Sequence, residues 1–182
     1  RTMLEAYRLG NLWRLLPWLP PGAIAEVGVR DGGTVRFLAR ATPDRAVYAY
    51  DTFTGLPATA LAWEVDLAGG MFAARTDTQE WLAELKNIHV RPGLFPGSMG
   101  TEKDAEHFAL VHLDGDLYQT TKDALAAFWP ILAPGGFLVL DDFGRLETPG
   151  VQEALYNQGV FLWRRCVWAN HPWLNQLILR NT

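Results

Sequence analysis

The chain has 182 residues, of which 49% are hydrophobic, and it carries a formal net charge of −4. This size predicts one globular domain with a substantial core, and the acidic balance excludes the basic footprint of a nucleic-acid-binding protein. The single cysteine, Cys166, excludes an internal disulfide framework, and it is compatible with a reducing, cytoplasmic location.

The first part of the chain predicts a helix. Apolar residues recur at roughly helical spacing from Met3 to Leu16, and the pattern stops at Pro17 and at residues 20–22. We therefore expect residues 1–21 to form an N-terminal helical segment. Because the chain opens with Arg1, an upstream or removed segment stays an open alternative. Every apolar run is too short to span a bilayer, so a membrane is not an expected partner.

The rest of the chain alternates short apolar runs with helical patterns. Strands are predicted at 23–27, 46–50, 88–91, 108–113 and 137–140, and helices at 34–41, 78–86, 120–132 and 151–158. Residues 52–76 lack clear periodicity, which is typical of a functional loop. Two β-like runs, 162–168 and 174–179, predict a terminal hairpin. The pattern predicts a single α/β domain over residues 1–182, a doubly wound Rossmann-like sheet that is mostly parallel with an antiparallel last strand.

A glycine-rich turn separates the first strand from its helix: Glu26-Val-Gly28-Val-Arg-Asp-Gly32-Gly33-Thr34. Glycines let a ligand approach the backbone, and the helix N-terminus offers N–H donors to an anionic group. Asp51 ends the second strand, where a carboxylate can accept hydrogen bonds from both hydroxyls of a ribose. Together these features predict a cofactor that contains a nucleoside. The alternative is a tight turn, with Asp51 capping the loop that follows.

The chemistry of this turn favours one cofactor over another. The glycine spacing differs from the G-x-G-x-x-G pattern of dinucleotide-binding proteins, which disfavours NAD. A carboxylate at the strand end, Glu26, suits a cofactor with a protonated amine, such as the methionine moiety of S-adenosylmethionine.

Acidic residues follow two later strands. Asp114 comes at the end of the fourth strand, and Asp141 and Asp142 end the fifth. Because the carboxyl ends of parallel strands meet at one edge of the sheet, we expect the three carboxylates to converge. They would raise one another's pKa unless a cation neutralised them. An all-oxygen site suits Mg²⁺, Mn²⁺ or Ca²⁺.

These motifs recur in an order that resembles a known family. The segments 26–34, 48–57 (Tyr-Ala-Tyr-Asp-Thr-Phe-Thr-Gly-Leu-Pro), 111–118 (Val-His-Leu-Asp-Gly-Asp-Leu-Tyr) and 134–143 (Pro-Gly-Gly-Phe-Leu-Val-Leu-Asp-Asp-Phe) resemble the macrocin O-methyltransferase (TylF/MycF-type) family. The resemblance implies a class I methyltransferase fold that uses S-adenosylmethionine and a metal. Longer relatives carry lid or oligomerisation elements at the N-terminus, and a homo-oligomer stays open for this chain.

The resemblance also implies a role for each matching residue. Glu26 and Gly28 would contact the methionine end of the cofactor, and Gly32, Gly33 and Thr34 would lie near its carboxylate. Asp51 would hold the ribose, Thr52 and Phe53 would lie beside the adenine, and Gly93 belongs to a further matching motif at the cofactor site. The Mg²⁺ ligands would be Asp114, Asp141 and Asp142.

The expected reaction is methyl transfer to a hydroxyl beside a second oxygen, as in a sugar diol or a catechol-like small molecule. The proton acceptor stays open between Asp114 and His171, whereas His112 is expected to be a hydrogen-bonded core residue. Two other functions are weighed against this one. The first is an NAD(P)-dependent oxidoreductase, and the second is a cofactor-binding module without activity.

Overall fold

The structure is a computed structural model that describes residues 1–64, 67, 69–102, 107–162, 166–171 and 175–182, with the backbone alone for 159–162 and 166–171. Its strands are β1 Ala23–Val27, β2 Val47–Asp51, β3 Ile88–Pro92, β4 Phe108–Leu113, β5 Leu132–Asp141, β6 Cys166–His171 and β7 Gln176–Asn181. Its α-helices are α1 Ala6–Leu15, α2 Gly33–Ala41, α3 Thr78–Ala83, α4 Tyr118–Phe128 and α5 Pro149–Leu162.

The seven strands form one sheet in the order β3-β2-β1-β4-β5-β7-β6. Strands β1 to β5 are parallel, and β7 runs antiparallel to both β5 and β6. The predicted fold class is therefore confirmed. The chain crosses over beside β1, which pairs with β2 on one side and β4 on the other, and a crevice at such a switch point is where this kind of sheet binds ligands.

Helices cover both faces of the sheet because the central strands are apolar on both sides. All five residues of β1 and all six of β4 are buried. On one face, Leu12 of α1 and Leu38 of α2 share a core cluster with Leu82 of α3. On the other face, Phe128 of α4 and Leu155 of α5 belong to a second cluster. Burial on both faces explains the nearly continuous apolar sequence of these strands.

Strand β5 begins earlier than the sequence predicts. The predicted helix 120–132 ends at Phe128 and continues as a short 3-10 helix, Trp129–Ile131, where Pro130 cannot extend the α-helical hydrogen bonds. The chain then enters β5 at Leu132, which pairs with Phe108 before the register shifts. Gly135 has a φ of +80° within this strand. Residues 134–136, which precede the predicted strand 137–140, therefore form an irregularity inside the observed strand.

The C-terminal hairpin is present, with both strands displaced toward the C-terminus. The predicted strand 174–179 is observed as Gln176–Asn181, in which Gln176 pairs with Asp141 and Leu179 with Leu138. The first strand is observed as Cys166–His171, and residues 163–165 and 172–174 lie outside the described part of the chain. Among the described residues, no helix is long and apolar enough to cross a bilayer.

Candidate functional site

A cavity of about 400 Å³ opens at the carboxyl ends of the central strands. Its walls come from the β1–α2 turn, the ends of β2, β4 and β5, the loop after β3, and residues 1–5 with Arg8. The sequence-predicted residues that line it are Glu26, Gly28, Gly33, Thr34, Asp51, Thr52, Gly93, Asp114 and Asp142. The structure therefore brings most of the predicted cofactor and metal residues to one place.

The turn after β1 approaches the end of β4 so closely that only glycine fits. Gly28 has a φ of +90°, and a Cβ atom there would lie 1.9 Å from the carbonyl oxygen of Asp114. The N–H of Asp114 in turn donates to the carbonyl of Val27 at 2.8 Å. This contact sets the glycine-rich turn directly beside the first acidic residue of the β4 end.

The N-terminal segment packs on the start of α2. A Cβ at Gly33 would lie 2.1 Å from the backbone nitrogen of Thr2. The hydroxyls of Thr2 and Thr34 are 2.8 Å apart and hydrogen-bonded. Residues 1–5 therefore form part of the cavity wall, a contribution that the helical pattern of residues 3–16 did not predict.

Asp51 holds the glycine-rich turn through its carboxylate. One oxygen accepts hydrogen bonds from the N–H groups of Val29 and Arg30 at 2.7 and 2.8 Å, and the other accepts from Phe53 N–H at 2.6 Å. The capping role weighed from the sequence is thus present in the structure. Because a carboxylate has about four acceptor sites, Asp51 keeps capacity to accept from a ligand in the cavity that it lines.

Two predicted cofactor residues lie elsewhere. Gly32, with a φ of +77°, is the N-cap of α2, and a Cβ there would meet the side chain of Leu82 at 2.7 Å. The ring of Phe53 packs against the core cluster on the α1–α2 face. Among the described residues, neither of them lines the cavity. The apolar wall on this side comes instead from Leu56, Pro57, Phe72, Leu94 and Phe95.

Glu26 is a buried carboxylate with one oxygen unsatisfied. Its side chain is 1% exposed, and Oε1 accepts a hydrogen bond from Nδ1 of His112 at 2.8 Å. Oε2 is buried and lacks a hydrogen-bond partner among the described residues. Burial raises the pKa of Glu26, which the contact with His112 opposes. A buried acceptor on a cavity wall is a ready partner for a cationic ligand group.

Three carboxylates meet at the other end of the cavity: Asp114, Asp116 and Asp142, with ligand oxygens within 4.8 Å of one another. Burial and the charge of Asp141 raise the pKa of Asp114 well above its ordinary value. Burial and a hydrogen bond with Asp142 raise the pKa of Asp116 to about 8. Asp116 also has a φ of +59°, a strained conformation for a residue with a Cβ.

Two arginines neutralise part of this charge. Arg8 of α1 is 3% exposed and donates to Oδ1 of Asp142 at 2.8 Å, and Arg145 donates to the same oxygen at 3.1 Å. Burial acts to raise the pKa of Asp142, but the hydrogen bond from Arg8 and that with Asp116 lower it below its ordinary value. Neither arginine was singled out from the sequence, because their partner is identified only by the fold.

Asp141 does not join this group, contrary to the expected ligand set. It is 1% exposed, it accepts from Nε2 of His112 at 2.9 Å, and its other oxygen accepts from Gln176 at 2.8 Å. Asp142 follows the last residue of β5 and has a φ of +57°, and Nη1 of Arg8 lies 2.8 Å from its Oδ1 and 3.6 Å from Oδ1 of Asp141. The structure instead brings Asp116 to Asp114 and Asp142. His112 is a buried, doubly hydrogen-bonded residue, as expected, while the side chain of His171 lies outside the described part.

Chemically, the two groups fit different ligands, and Asp114 belongs to both. An oxygen of Asp114 lies within 4.8 Å of the ligand atoms of Glu26 and His112, as well as within the three-aspartate group. The aspartate group offers oxygen atoms alone, which suits a hard divalent cation. The free oxygen of Glu26 suits an ammonium group. One cavity thus offers sites for both kinds of cation side by side.

Comparisons with known proteins identify the family to which the chain is similar. A profile of the macrocin-O-methyltransferase (TylF) family matches residues 2–158. The chain is 31% identical to 8-demethyl-8-(2,3-dimethoxy-alpha-L-rhamnosyl)-tetracenomycin-C 4'-O-methyltransferase of Streptomyces olivaceus, over 78% of this chain and 62% of that protein. It is 28% identical to mycinamicin III 3''-O-methyltransferase of Micromonospora griseorubida, over 85% and 68%. The chain thus spans roughly two thirds of the length of these relatives.

Solved structures show the same fold. The O-methyltransferase NovP superimposes with a TM-score of 0.80 at 23% identity, over 100% of this chain and 82% of that one. The calicheamicin methyltransferase CalS11 gives a TM-score of 0.78 at 25% identity, over 96% and 77%. Because the family profile covers most of the chain and the fold agrees, this protein belongs to the macrocin O-methyltransferase family of S-adenosylmethionine-dependent enzymes.

Proposed function

We propose that the chain transfers a methyl group from S-adenosylmethionine to a hydroxyl of a small sugar-containing acceptor, with a hard divalent cation, such as Mg²⁺, beside the donor. The observation that carries this proposal is the meeting of two sites in one cavity. Glu26 offers a buried oxygen that has no partner among the described residues, and Asp114, Asp116 and Asp142 form an oxygen-rich group that adjoins it through Asp114.

The cofactor would lie between the glycine-rich turn and the β4 end. Glu26 would accept from its amino group, and Thr34 and the N–H groups at the start of α2 would face its carboxylate. Asp51 would accept from the ribose, and Leu94, Phe95 and the other apolar residues of that wall would surround the adenine. S-adenosylmethionine supplies an electrophilic methyl group for an oxygen nucleophile.

The acidic group fits a metal ion by its donor chemistry. Asp114, Asp116 and Asp142 would hold the cation. In this ligand set Asp116 takes the place of Asp141, which was expected from the sequence. A divalent cation supplies Lewis-acid and template chemistry for two adjacent substrate oxygens. Burial and nearby negative charge make Asp114 and Asp116 costly to keep charged, so a cation would stabilise their ionised forms.

The residues of the chain have distinct tasks in this reaction. The cavity orients donor and acceptor and excludes water, which is where most of the rate enhancement is expected to arise. Asp114 is the candidate proton acceptor whose position is described, because it lines the cavity next to both sites. His171 stays a second candidate at the end of β6.

The sugar acceptor is suggested by the relatives. Two of them are named for reactions at sugar positions. One is the rhamnosyl-tetracenomycin 4'-O-methyltransferase, and the other is CalS11, a TDP-rhamnose 3'-O-methyltransferase. A sugar diol has the two adjacent oxygens that the acidic group would serve, and a catechol-like ring is the competing acceptor class.

Calorimetry with S-adenosylhomocysteine and with NAD⁺ tests the cofactor. We expect S-adenosylhomocysteine to bind and NAD⁺ to give no heat of binding; the reverse result would contradict the proposal. Release of S-adenosylhomocysteine from S-adenosylmethionine is then measured with activated 6-deoxyhexoses and with catechols, in Mg²⁺ and in chelator. Turnover of a sugar diol that chelator abolishes supports the metal role, whereas full turnover in chelator contradicts it.

A further inference from the structure

A connected network of buried polar side chains lies across the carboxyl end of the sheet, beneath the cavity. Glu26 of β1 and His112 of β4 are register partners, as are Asp141 of β5 and Gln176 of β7. Each of the four side chains is no more than 1% exposed. Asn11 of α1 extends this network by donating a hydrogen bond to Gln176 at 2.9 Å. Such a network in a core is costly unless its members are satisfied.

His112 joins the two carboxylates of this network, Glu26 and Asp141. Nδ1 lies 2.8 Å from Glu26, and Nε2 lies 2.9 Å from Asp141. Each ring nitrogen is thus within hydrogen-bond distance of one carboxylate oxygen, so the imidazole bridges Glu26 and Asp141.

One acceptor atom of this network lacks a partner among the described residues, and it belongs to Glu26. Both oxygens of Asp141 are hydrogen-bonded, one with His112 and the other with Gln176, and Nη1 of Arg8 lies 3.6 Å from its Oδ1. Glu26 is bonded through Oε1, whereas its buried Oε2 has no hydrogen-bond partner in the described part of the molecule. Glu26 lines the cavity, whereas His112, Asp141 and Gln176 are not among its lining residues.

We propose that His112 is a positioning residue for cofactor binding, which fixes Glu26 so that its free oxygen meets the amino group of the cofactor. Asp141 and Gln176 act behind it by fixing the imidazole ring. This inference rests on the proposed function, because it assumes that S-adenosylmethionine occupies the cavity.

Two ligands separate this role from a purely structural one. S-adenosylhomocysteine carries the amino acid end, and 5'-methylthioadenosine shares its adenosine and thioether but lacks the amino group. His112→Gln can place its amide nitrogen near the position of Nε2, so it keeps the hydrogen bond to Asp141 and loses the one to Glu26. His112→Asn can place its amide nitrogen near the position of Nδ1, so it keeps the hydrogen bond to Glu26. The two variants thus remove opposite ends of the same bridge.

Calorimetry of both ligands with the wild type and with both variants tests the proposal. We expect His112→Gln to weaken S-adenosylhomocysteine about tenfold or more while 5'-methylthioadenosine changes by less than about twofold, since a hydrogen bond to a charged group is lost. His112→Asn should bind S-adenosylhomocysteine within about threefold of the wild type. Equal weakening of both ligands by His112→Gln, or unchanged affinity for S-adenosylhomocysteine, would overturn the inference.

A second variant covers the case in which His112→Gln does not fold. Gln176→Leu removes the hydrogen bonds of Gln176 with Asp141 and Asn11 but leaves Glu26 and the cavity-lining residues unchanged. It should weaken binding of S-adenosylhomocysteine, but not of 5'-methylthioadenosine, by about threefold. Equal effects on both ligands would again contradict the proposal. A wild-type protein that binds neither ligand overturns the proposed function and this inference with it. A wild type that binds both, with variants that keep its preference, overturns the inference alone.

Discussion

The α-carbon of Gly28 faces the carbonyl oxygen of Asp114 so closely that a methyl group on it would lie 1.9 Å from that oxygen. This close contact holds the glycine-rich turn against Asp114 of the acidic group. Replacement by alanine would force the two segments apart and place a Cβ residue at a φ of +90°. We expect Gly28→Ala to lower the free energy of unfolding by about 2–4 kcal/mol and to abolish binding of S-adenosylhomocysteine.

Urea unfolding and calorimetry measure both effects, and the chain supplies a matched control. Gly10 lies within α1, and a Cβ atom there would meet nothing within 4 Å. Gly10→Ala should therefore be neutral or stabilising by up to about 1 kcal/mol. A Gly28→Ala protein with unchanged stability and affinity would show that the close approach is not required.

The acidic group gives a second prediction, about which carboxylates bind metal. Asp116→Asn and Asp142→Asn should each weaken Mn²⁺ binding about tenfold or more, as detected by calorimetry. Asp141→Asn should leave Mn²⁺ affinity within about threefold, since its oxygens are bonded to His112 and Gln176. Loss of Mn²⁺ binding in Asp141→Asn with retention in Asp116→Asn would restore the ligand set expected from the sequence.

Glu102 gives a prediction about acid stability away from the cavity floor. It is 4% exposed and accepts from Arg91 at 2.8 Å, from the Tyr50 hydroxyl at 2.9 Å and from Gly100 N–H at 3.0 Å. Although burial opposes it, these bonds lower the pKa of Glu102 to about 2. The ionised form therefore contributes stability that is present above about pH 4.5 and lost as the pH falls toward 2.

Urea unfolding at pH 6 and pH 3 measures this contribution. The wild type should lose more stability between the two pH values than Glu102→Gln, by up to about 2 kcal/mol. The surface variant Glu80→Gln should follow the wild type. Equal pH dependence in the wild type and Glu102→Gln would contradict the assignment.

Glu64 anchors the long loop after β2. It is 1% exposed, Oε1 accepts from the N–H of Tyr118 at the start of α4, and Oε2 accepts from the hydroxyl of Thr59 at 2.8 Å. Glu64→Gln would set an amide donor against these donors, and it should cost about 1–3 kcal/mol in urea unfolding. Thr59→Val, which removes one hydrogen bond, should cost about 1 kcal/mol or less. Identical stability of Glu64→Gln and the wild type would exclude this anchor.

Sequence patterns predicted the parts of this fold in which local signals and burial agree. Strands β1 and β4 were placed at their observed bounds, because each is a mostly apolar run between clear turns. The extension of β5 through Gly135 was missed, because glycine is uncommon inside strands. The pairing of Leu132 with Phe108 determines that the strand begins there. Residues 52–76 lack periodicity, so the positions of Glu64 and Phe72 had no local signal.

The candidate site divides in the same way. Glu26, Gly28 and Asp114 were found because strand ends and turns identify them without knowledge of the sheet order. Arg8 was missed because its partner Asp142 lies 134 residues away along the chain. The expected trio of aspartates was altered for a related reason, since only the three-dimensional structure shows His112 between Glu26 and Asp141.

Crystals grown with S-adenosylhomocysteine and Mn²⁺ test the central claim most directly, because Mn²⁺ gives an anomalous diffraction signal. We expect an anomalous peak bonded to Asp114 and Asp142, in the same cavity as the ligand, with the ligand amino group on Glu26. A peak outside the aspartate group, or S-adenosylhomocysteine bound away from Glu26, would contradict it.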